Sequence, residues 1–227
     1  MDYFLCIETS TEVCSVAIGN NEEGLLTTSD YARENSHSET ITLQIEDCMQ
    51  ELGLSYAELS AIGISRGPGS YTGLRVGTSV AKGICYAWDI PLIAVDSLYG
   101  IAAGTQAHAS PGYILMPMID ARRMEVYTAV YDSELNIRKD VHNLILEEGA
   151  LSGIDAGYVI LCGNGAVKSE GIDLGVETKI LPTPCSASYM IDKCIELYYM
   201  NKFEDVAYFS PFYFKSPNIT KSKKNIL

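Results

Sequence analysis

Arg66-Gly67-Pro68-Gly69-Ser70-Tyr71-Thr72-Gly73-Leu74-Arg75 separates two ordered runs of the chain. Upstream, Leu59–Ser65 has the short, nearly continuous apolar character of a buried strand. Downstream, residues 72–88 place Leu74, Gly77, Val80, Ala81, Ile84, Cys85 and Trp88 on overlapping helical faces. A glycine-dense turn at such a junction has two physical uses. It can reach backbone dihedrals closed to other residues and offer free helix-terminal N–H groups to a phosphate, or it can let helix and strand pack closely. The stretch has neither the Gly-Lys-Ser/Thr ending of a P-loop nor G-x-G-x-x-G spacing. Both uses therefore stay open, with Gly67, Gly69, Ser70, Thr72 and Gly73 as nucleotide-proximal candidates.

Working back to the N-terminus, residues 3–7 and 14–19 are β-prone and joined by Glu8-Thr9-Ser10-Thr11-Glu12, whose hydroxyls and carboxylates suit a turn between antiparallel strands. Residues 25–31 complete a meander. One acid and three hydroxyls at the tip, Glu8, Thr9, Ser10 and Thr11, can face a phosphate or a hydrated magnesium ion, or satisfy one another. Ser36 with Glu39 three residues on suggests a capping box opening a helix that carries Ile41, Ile45, Cys48 and Leu52 at helical spacing. Leu43 and Met49 widen the apolar surface beyond one stripe, which suggests a helix burying two sides. Pro91 restarts the chain before the strand 92–95.

Beyond this point the order resembles itself. A small helix near 97–103 and a loose stretch at 105–112 precede strand candidates at 113–119, 124–131 and 135–141. A short helix at 145–151, a strand at 158–162 and a helical turn at 166–171 follow. Residues 188–200 form a last amphipathic helix, and 209–214 an aromatic strap. Topology repeats although letters do not, giving an α/β chain of two lobes with a degenerate second one: 1–103, 104–208, and a strap with basic tail at 209–227. Asp120-Ala121-Arg122-Arg123-Met124-Glu125-Val126-Tyr127 mixes charge signs at a turn, either as a salt-bridged hairpin corner or as a patch facing a ligand or partner.

Composition narrows the chemistry. With 29 Asp and Glu against 16 Lys and Arg, the formal charge is −13. RNA affinity comes largely from neutralising phosphates, so any RNA would be gripped mainly by another subunit. Lys215, Lys221, Lys223 and Lys224 form the one basic cluster. Seven dispersed cysteines without C-x-x-C read as reduced core residues. His37, His108 and His142 are too far apart in sequence for a helical metal pair, so no metal ligands are assigned. No G-x-S-x-G elbow supports a nucleophile. No run approaches the roughly 20 apolar residues of a membrane span, and the N-terminus does not read as a signal peptide, so a cytoplasmic protein without membrane contact is expected.

Glu8 to Ala17, His37-Ser38-Glu39, Gly67 to Arg75 with Ala81-Lys82-Gly83, Asp120-Ala121-Arg122-Arg123 and Pro211-Phe212-Tyr213-Phe214-Lys215 together resemble the TsaB (YeaZ) family across nearly the whole chain. The resemblance implies an actin/Hsp70-like (ASKHA) fold of two related lobes, each a mixed sheet with flanking helices. It implies a non-catalytic subunit that pairs with TsaD, the larger paralogue holding the metal and transferase site, and with the ATPase TsaE. The complex would transfer threonylcarbamoyl to adenosine 37 of ANN-decoding tRNA, touching tRNA only as a whole. The chain would have no cofactor of its own, with ATP or ADP and magnesium at the complex interface, and would form a homodimer when TsaD is absent. Family pairing uses first-lobe helices, so Ile41, Ile45, Met49, Leu74, Val76 and Val80 are expected at the interface. Glu8 stands where the family usually has Asp, which argues against autonomous ATP use, and Phe214-Lys215 replaces Leu-Arg. The rivals are an autonomous ATP-binding phosphotransferase or ATPase of the actin-like class and a peptidase.

Overall fold

The computed structural model describes residues 1–32 and 37–215. Ser36 of the expected capping box and Lys221, Lys223 and Lys224 of the tail lie outside them. The first sheet contains β1 (Tyr3–Glu8), β2 (Val13–Asn20), β3 (Gly24–Ala32), β4 (Leu59–Ser65) and β5 (Leu92–Val95), in the order β3-β2-β1-β4-β5. Tight connections pair β1 with β2 and β2 with β3 antiparallel. The parallel pairs β1–β4 and β4–β5 need crossovers, supplied by α1 (His37–Leu52) and α2 (Tyr71–Trp88).

The second sheet, β6 (Ile114–Asp120), β7 (Glu125–Asp132), β8 (Ile137–Ile145), β9 (Val159–Cys162) and β10 (Thr178–Leu181), has the order β10-β9-β6-β7-β8. Position for position this is the first sheet again, with the same parallel and antiparallel pairs. The long crossovers are gone. In place of the second one stands only a 3-10 turn at Ala166–Ser169. The α/β two-lobe, actin/Hsp70-like architecture with a degenerate second lobe is thus present.

One expectation needs correction. Residues 145–151 are not a helix: Ile145 ends β8, Gly149 takes φ +73°, and the amides of Gly149 and Leu151 donate to the carbonyls of Asp173 and Leu174 instead of closing helical rings. Two helices cross between the lobes expected at 1–103 and 104–208. Helix α3 (Ser97–Thr105), assigned by sequence to 1–103, packs Leu98, Ile101 and Ala102 against Leu115, Ile119 and Ile160 of the second sheet. Helix α4 (Ile191–Tyr199), assigned to 104–208, returns to the first sheet, where Ile191 and Cys194 pack with Phe4, Cys6, Ala17 and Ile93.

The first sheet is therefore covered on both faces. Leu5, Ile7, Val16, Ile62 and Ile64 meet Ile41, Ile45, Cys48, Met49, Ala81 and Cys85 of α1 and α2 on one side, and the alternate residues meet α4 on the other. This double coverage explains why β1, β2 and β4 read as continuous apolar runs.

Candidate functional site

The β1–β2 tip and the glycine turn face each other and touch. Ser70 caps α2, its Oγ accepting from the Gly73 amide at 3.2 Å, and its own amide donates to the Ser10 carbonyl at 2.6 Å. A Cβ on Gly69 would overlap the Ser10 backbone, one on Gly73 the Thr9 carbonyl, and one on Gly77 the Thr9 Oγ1. Gly67, at φ +108°, lies under the C-terminal strap, where a Cβ would stand 2.6 Å from the Phe212 carbonyl oxygen. Of the two uses left open, close packing is the one these glycines serve.

Glu8, Thr9 and Ser10 are 1%, 0% and 0% exposed, and Thr11 is buried as well. Glu8 Oε1 accepts from the Ser10 amide at 2.5 Å, and the Thr9 amide donates to Ser65 Oγ at 3.3 Å. Burial pushes the Glu8 carboxyl above its ordinary value, while hydrogen bonds from Ser10, Ser65 and Thr9 pull it back. Glu8, Thr9 and Ser10, expected near a nucleotide, are thus buried in a joint with Gly69 and Gly73. The Glu8 carboxylate and the Ser10 amide satisfy each other, Gly69 and Gly73 lie against the tip backbone, and the buried Thr9 Oγ1 has no hydrogen-bond partner among the described residues. Ser70 and Thr72 are exposed at the first turn of α2.

The proposed interface residues divide. Ile41, Ile45, Met49 and Leu74 are at most 4% exposed, and the first three belong to the core beneath α1 and α2. The inner faces of both helices are required by the sheet, so these four side chains are buried within the chain, and Ile41 also lines the groove between the helices. Val76 and Val80 are half-buried and line a shallow groove of about 310 Å³ between the helices, with Ser38, Ile41, Thr42, Arg75 and Ser79. Leu43, Tyr86 and Trp88 stand exposed on the same helices.

At the second hairpin, Asp120 accepts from the Arg122 amide at 2.6 Å and pairs with Lys168 at 2.5 Å. Arg122 and Arg123 take φ +71° and +51°. Asn164 ties the lobes by donating to Glu12 Oε2 at 2.8 Å and accepting from the Asp120 amide at 3.1 Å. A polar cleft of about 550 Å³, which sequence did not point to, opens near Tyr99, Gln106, Glu134, Tyr189 and Lys193. Among the described residues no three His, Cys, Asp or Glu side chains gather as a metal site. All seven cysteines are free and buried, and burial pushes the Cys85 thiol up to about 12, which leaves it a packing residue rather than a nucleophile.

The family model "TsaD: tRNA N6-adenosine threonylcarbamoyltransferase" matches residues 31–148, a span holding α1, the glycine turn, α2 and the Arg122–Arg123 corner. The chain belongs to the TsaD/TsaB (YeaZ) family. The tRNA threonylcarbamoyladenosine biosynthesis protein TsaB of Escherichia coli K12 is 34% identical over 132 residues, 58% of this chain and 56% of that protein. TsaB of Bacillus subtilis 168 is 31% identical over 137 residues, 60% and 58%. The tRNA N6-adenosine threonylcarbamoyltransferase of Streptococcus mutans is 34% identical over 132 residues, covering 52% of this chain and 39% of that enzyme. The aligned region thus spans little more than half the length of the curated TsaB relatives. YeaZ from Pseudomonas aeruginosa has the same fold, with a TM-score of 0.81 at 24% identity over 94% of this chain and all of that one. Among the described residues no helix of this TsaB/YeaZ-family chain is long and apolar enough to cross a membrane.

Proposed function

We propose that this chain is a non-catalytic subunit of the tRNA threonylcarbamoyladenosine machinery, pairing with TsaD and TsaE to support threonylcarbamoyl transfer to adenosine 37 of ANN-decoding tRNA. The observation that carries this is the outer face of α1 and α2. Both helices have already given their inner faces to the sheet, yet between them runs a groove floored by Val76 and Val80 and rimmed by the small side chains Ser38, Thr42 and Ser79. Small residues let another backbone approach closely. The match to the transferase family spans both helices, so the paralogue would carry a helix pair of the same construction, and two such pairs pack naturally as a four-helix bundle. A second copy of this chain would use the same face when TsaD is absent.

The packed tip favours an accessory rather than a catalytic role. Glu8 is enclosed by its own neighbours, so ATP or ADP with magnesium would sit at the shared face of the complex, beside the exposed first turn of α2, rather than beneath the β1–β2 tip. The free, buried thiols fit a reducing, cytoplasmic setting.

Reconstitution tests this. Purified TsaD and TsaE, threonylcarbamoyl-adenylate and an ANN-decoding tRNA should give modified adenosine only when this chain is added. ATP turnover by the chain alone, or full modification without it, would contradict the assignment.

A further inference from the structure

We propose that the surface running from Arg75 across the C-terminal strap to the Arg122–Arg123 corner binds a single-stranded or loop segment of RNA directly. The identity of that RNA rests on the proposed function, to which this surface adds a direct grip by a chain whose overall charge would otherwise repel it.

Charge is segregated to this strip. Twelve of the 16 Lys and Arg lie among the described residues, since Arg33, Lys221, Lys223 and Lys224 do not. Arg75, Arg122, Arg123, Lys168 and Lys215 belong to the strip, together with three carboxylates, Asp120, Glu125 and, through Asn164, Glu12. The remainder of the described surface and core holds seven cations against 25 carboxylates. The strip's five cations exceed its three carboxylates by two, whereas the remainder sums to −18, a contrast that favours a polyanion here over the rest of the molecule.

The strip is continuous, and aromatic rings alternate with its cations. The Arg75 guanidinium lies 4.1 Å over the Tyr71 ring, Tyr71 packs at 4.5 Å on Tyr213, and Phe214 meets Tyr127 at 5.8 Å. Lys215 then pairs with Glu125, whose backbone carbonyl accepts from Lys168. Phe212 is exposed, and Tyr71, Tyr127, Tyr213 and Phe214 keep partly open rings. Alternating rings and cations suit a nucleic-acid strand, whose bases stack while its phosphates pair.

The far end is held ready. Asp120 fixes the Arg122 amide, and two successive non-glycine residues are kept in the left-handed region, a costly conformation that throws both side chains into solvent. Neither guanidinium has an ion pair among the described residues. The near end, Arg75, is on the rim of the α1–α2 groove, so an RNA held by a partner docked there would pass onto the strip.

The test titrates a fluorescein-labelled hairpin RNA with an unpaired loop against the full chain over a series of potassium chloride concentrations. Arg122→Asn/Arg123→Asn/Lys215→Gln removes three strip charges with residues that tolerate the backbone, because asparagine accepts positive φ. We expect about tenfold weaker binding at low salt and a salt slope shallower by roughly two, about 0.7 for each single-strand phosphate left unneutralised. Lys139→Gln/Lys179→Gln/Lys202→Gln removes the same charge elsewhere and should leave the slope unchanged. Tyr213→Leu alone should weaken loop RNA more than a fully paired duplex, which keeps the test decisive if the triple variant folds poorly. Equal losses in both triple variants, no loss in the first, or displacement of the RNA by polyglutamate at equal charge concentration would overturn the proposal. The titration needs no partner, and association with TsaD is read separately by sedimentation, so failure of RNA binding leaves the subunit assignment standing and the converse also holds.

Discussion

Gly73 is pressed against Thr9 so tightly that the smallest side chain at position 73 would collide with the Thr9 carbonyl. This contact closes the β1–β2 tip onto α2. Gly73→Ala should destabilise the chain by about 1–3 kcal/mol, the cost of overpacking against rigid backbone. Gly83→Ala, on the same helix with no atom within 4 Å of the added Cβ, should instead stabilise it by about 0.5–1 kcal/mol through helix propensity. Urea unfolding of the two variants checks the opposite signs.

Glu8 titrates above its ordinary value of 4.5 because burial disfavours its charge. A carboxyl raised in the folded state binds its proton more tightly there than in the unfolded chain. Its contribution to stability is therefore full below pH 4.5 and is lost as pH rises through the raised value. Glu8→Gln should flatten that part of the profile, so the stability of wild type relative to the variant should fall between pH 4.5 and neutrality. Unfolding measured across that interval decides it, and a relative stability that rises with pH would contradict the burial account.

The strap stitches the lobes. The Phe212 amide donates to the Arg66 carbonyl at 2.7 Å, Tyr213 lies on Tyr71 in the first lobe, and Phe214 meets Tyr127 in the second. Phe214→Ala should cost about 1–3 kcal/mol, combining the apolar burial of a half-buried ring with its aromatic pairing. Hydrogen exchange should accelerate in β7 more than in β1.

Helix exchange predicts that lobes do not fold alone. A fragment ending at residue 105 lacks α4, so Phe4, Cys6, Ala17 and Ile93 would face water. It should show no cooperative thermal transition by circular dichroism. A fragment that melts cooperatively would show that α4 is dispensable to the first lobe.

The strands and helices of the first lobe were legible because double coverage makes β1, β2 and β4 apolar throughout, and because α2 begins at a glycine turn with Ser70 as its cap. What sequence could not convey was which faces meet. Ile41 and Ile45 carry the same apolar label whether they meet a partner or the sheet, and only the geometry of β1 and β4 puts them inside. The glycines at 69 and 73 were ambiguous for the same reason: phosphate and a neighbouring backbone both demand an absent Cβ. Strand β10 went unseen because four residues with alternating exposure give almost no periodic signal, and the failed helix at 145–151 shows short apolar spacing overruled by Gly149 and by amides committed to residues 173 and 174.

Sedimentation velocity on a mixture of this chain with TsaD examines the role of the α1–α2 outer face most directly. Thr42→Arg/Ser79→Arg places two long cations on exposed positions of the groove without touching the core and should abolish the joint species, weakening association by at least about 100-fold (roughly 2.7 kcal/mol), while the thermal midpoint of the chain alone stays unchanged. Undiminished association of that variant would contradict the account.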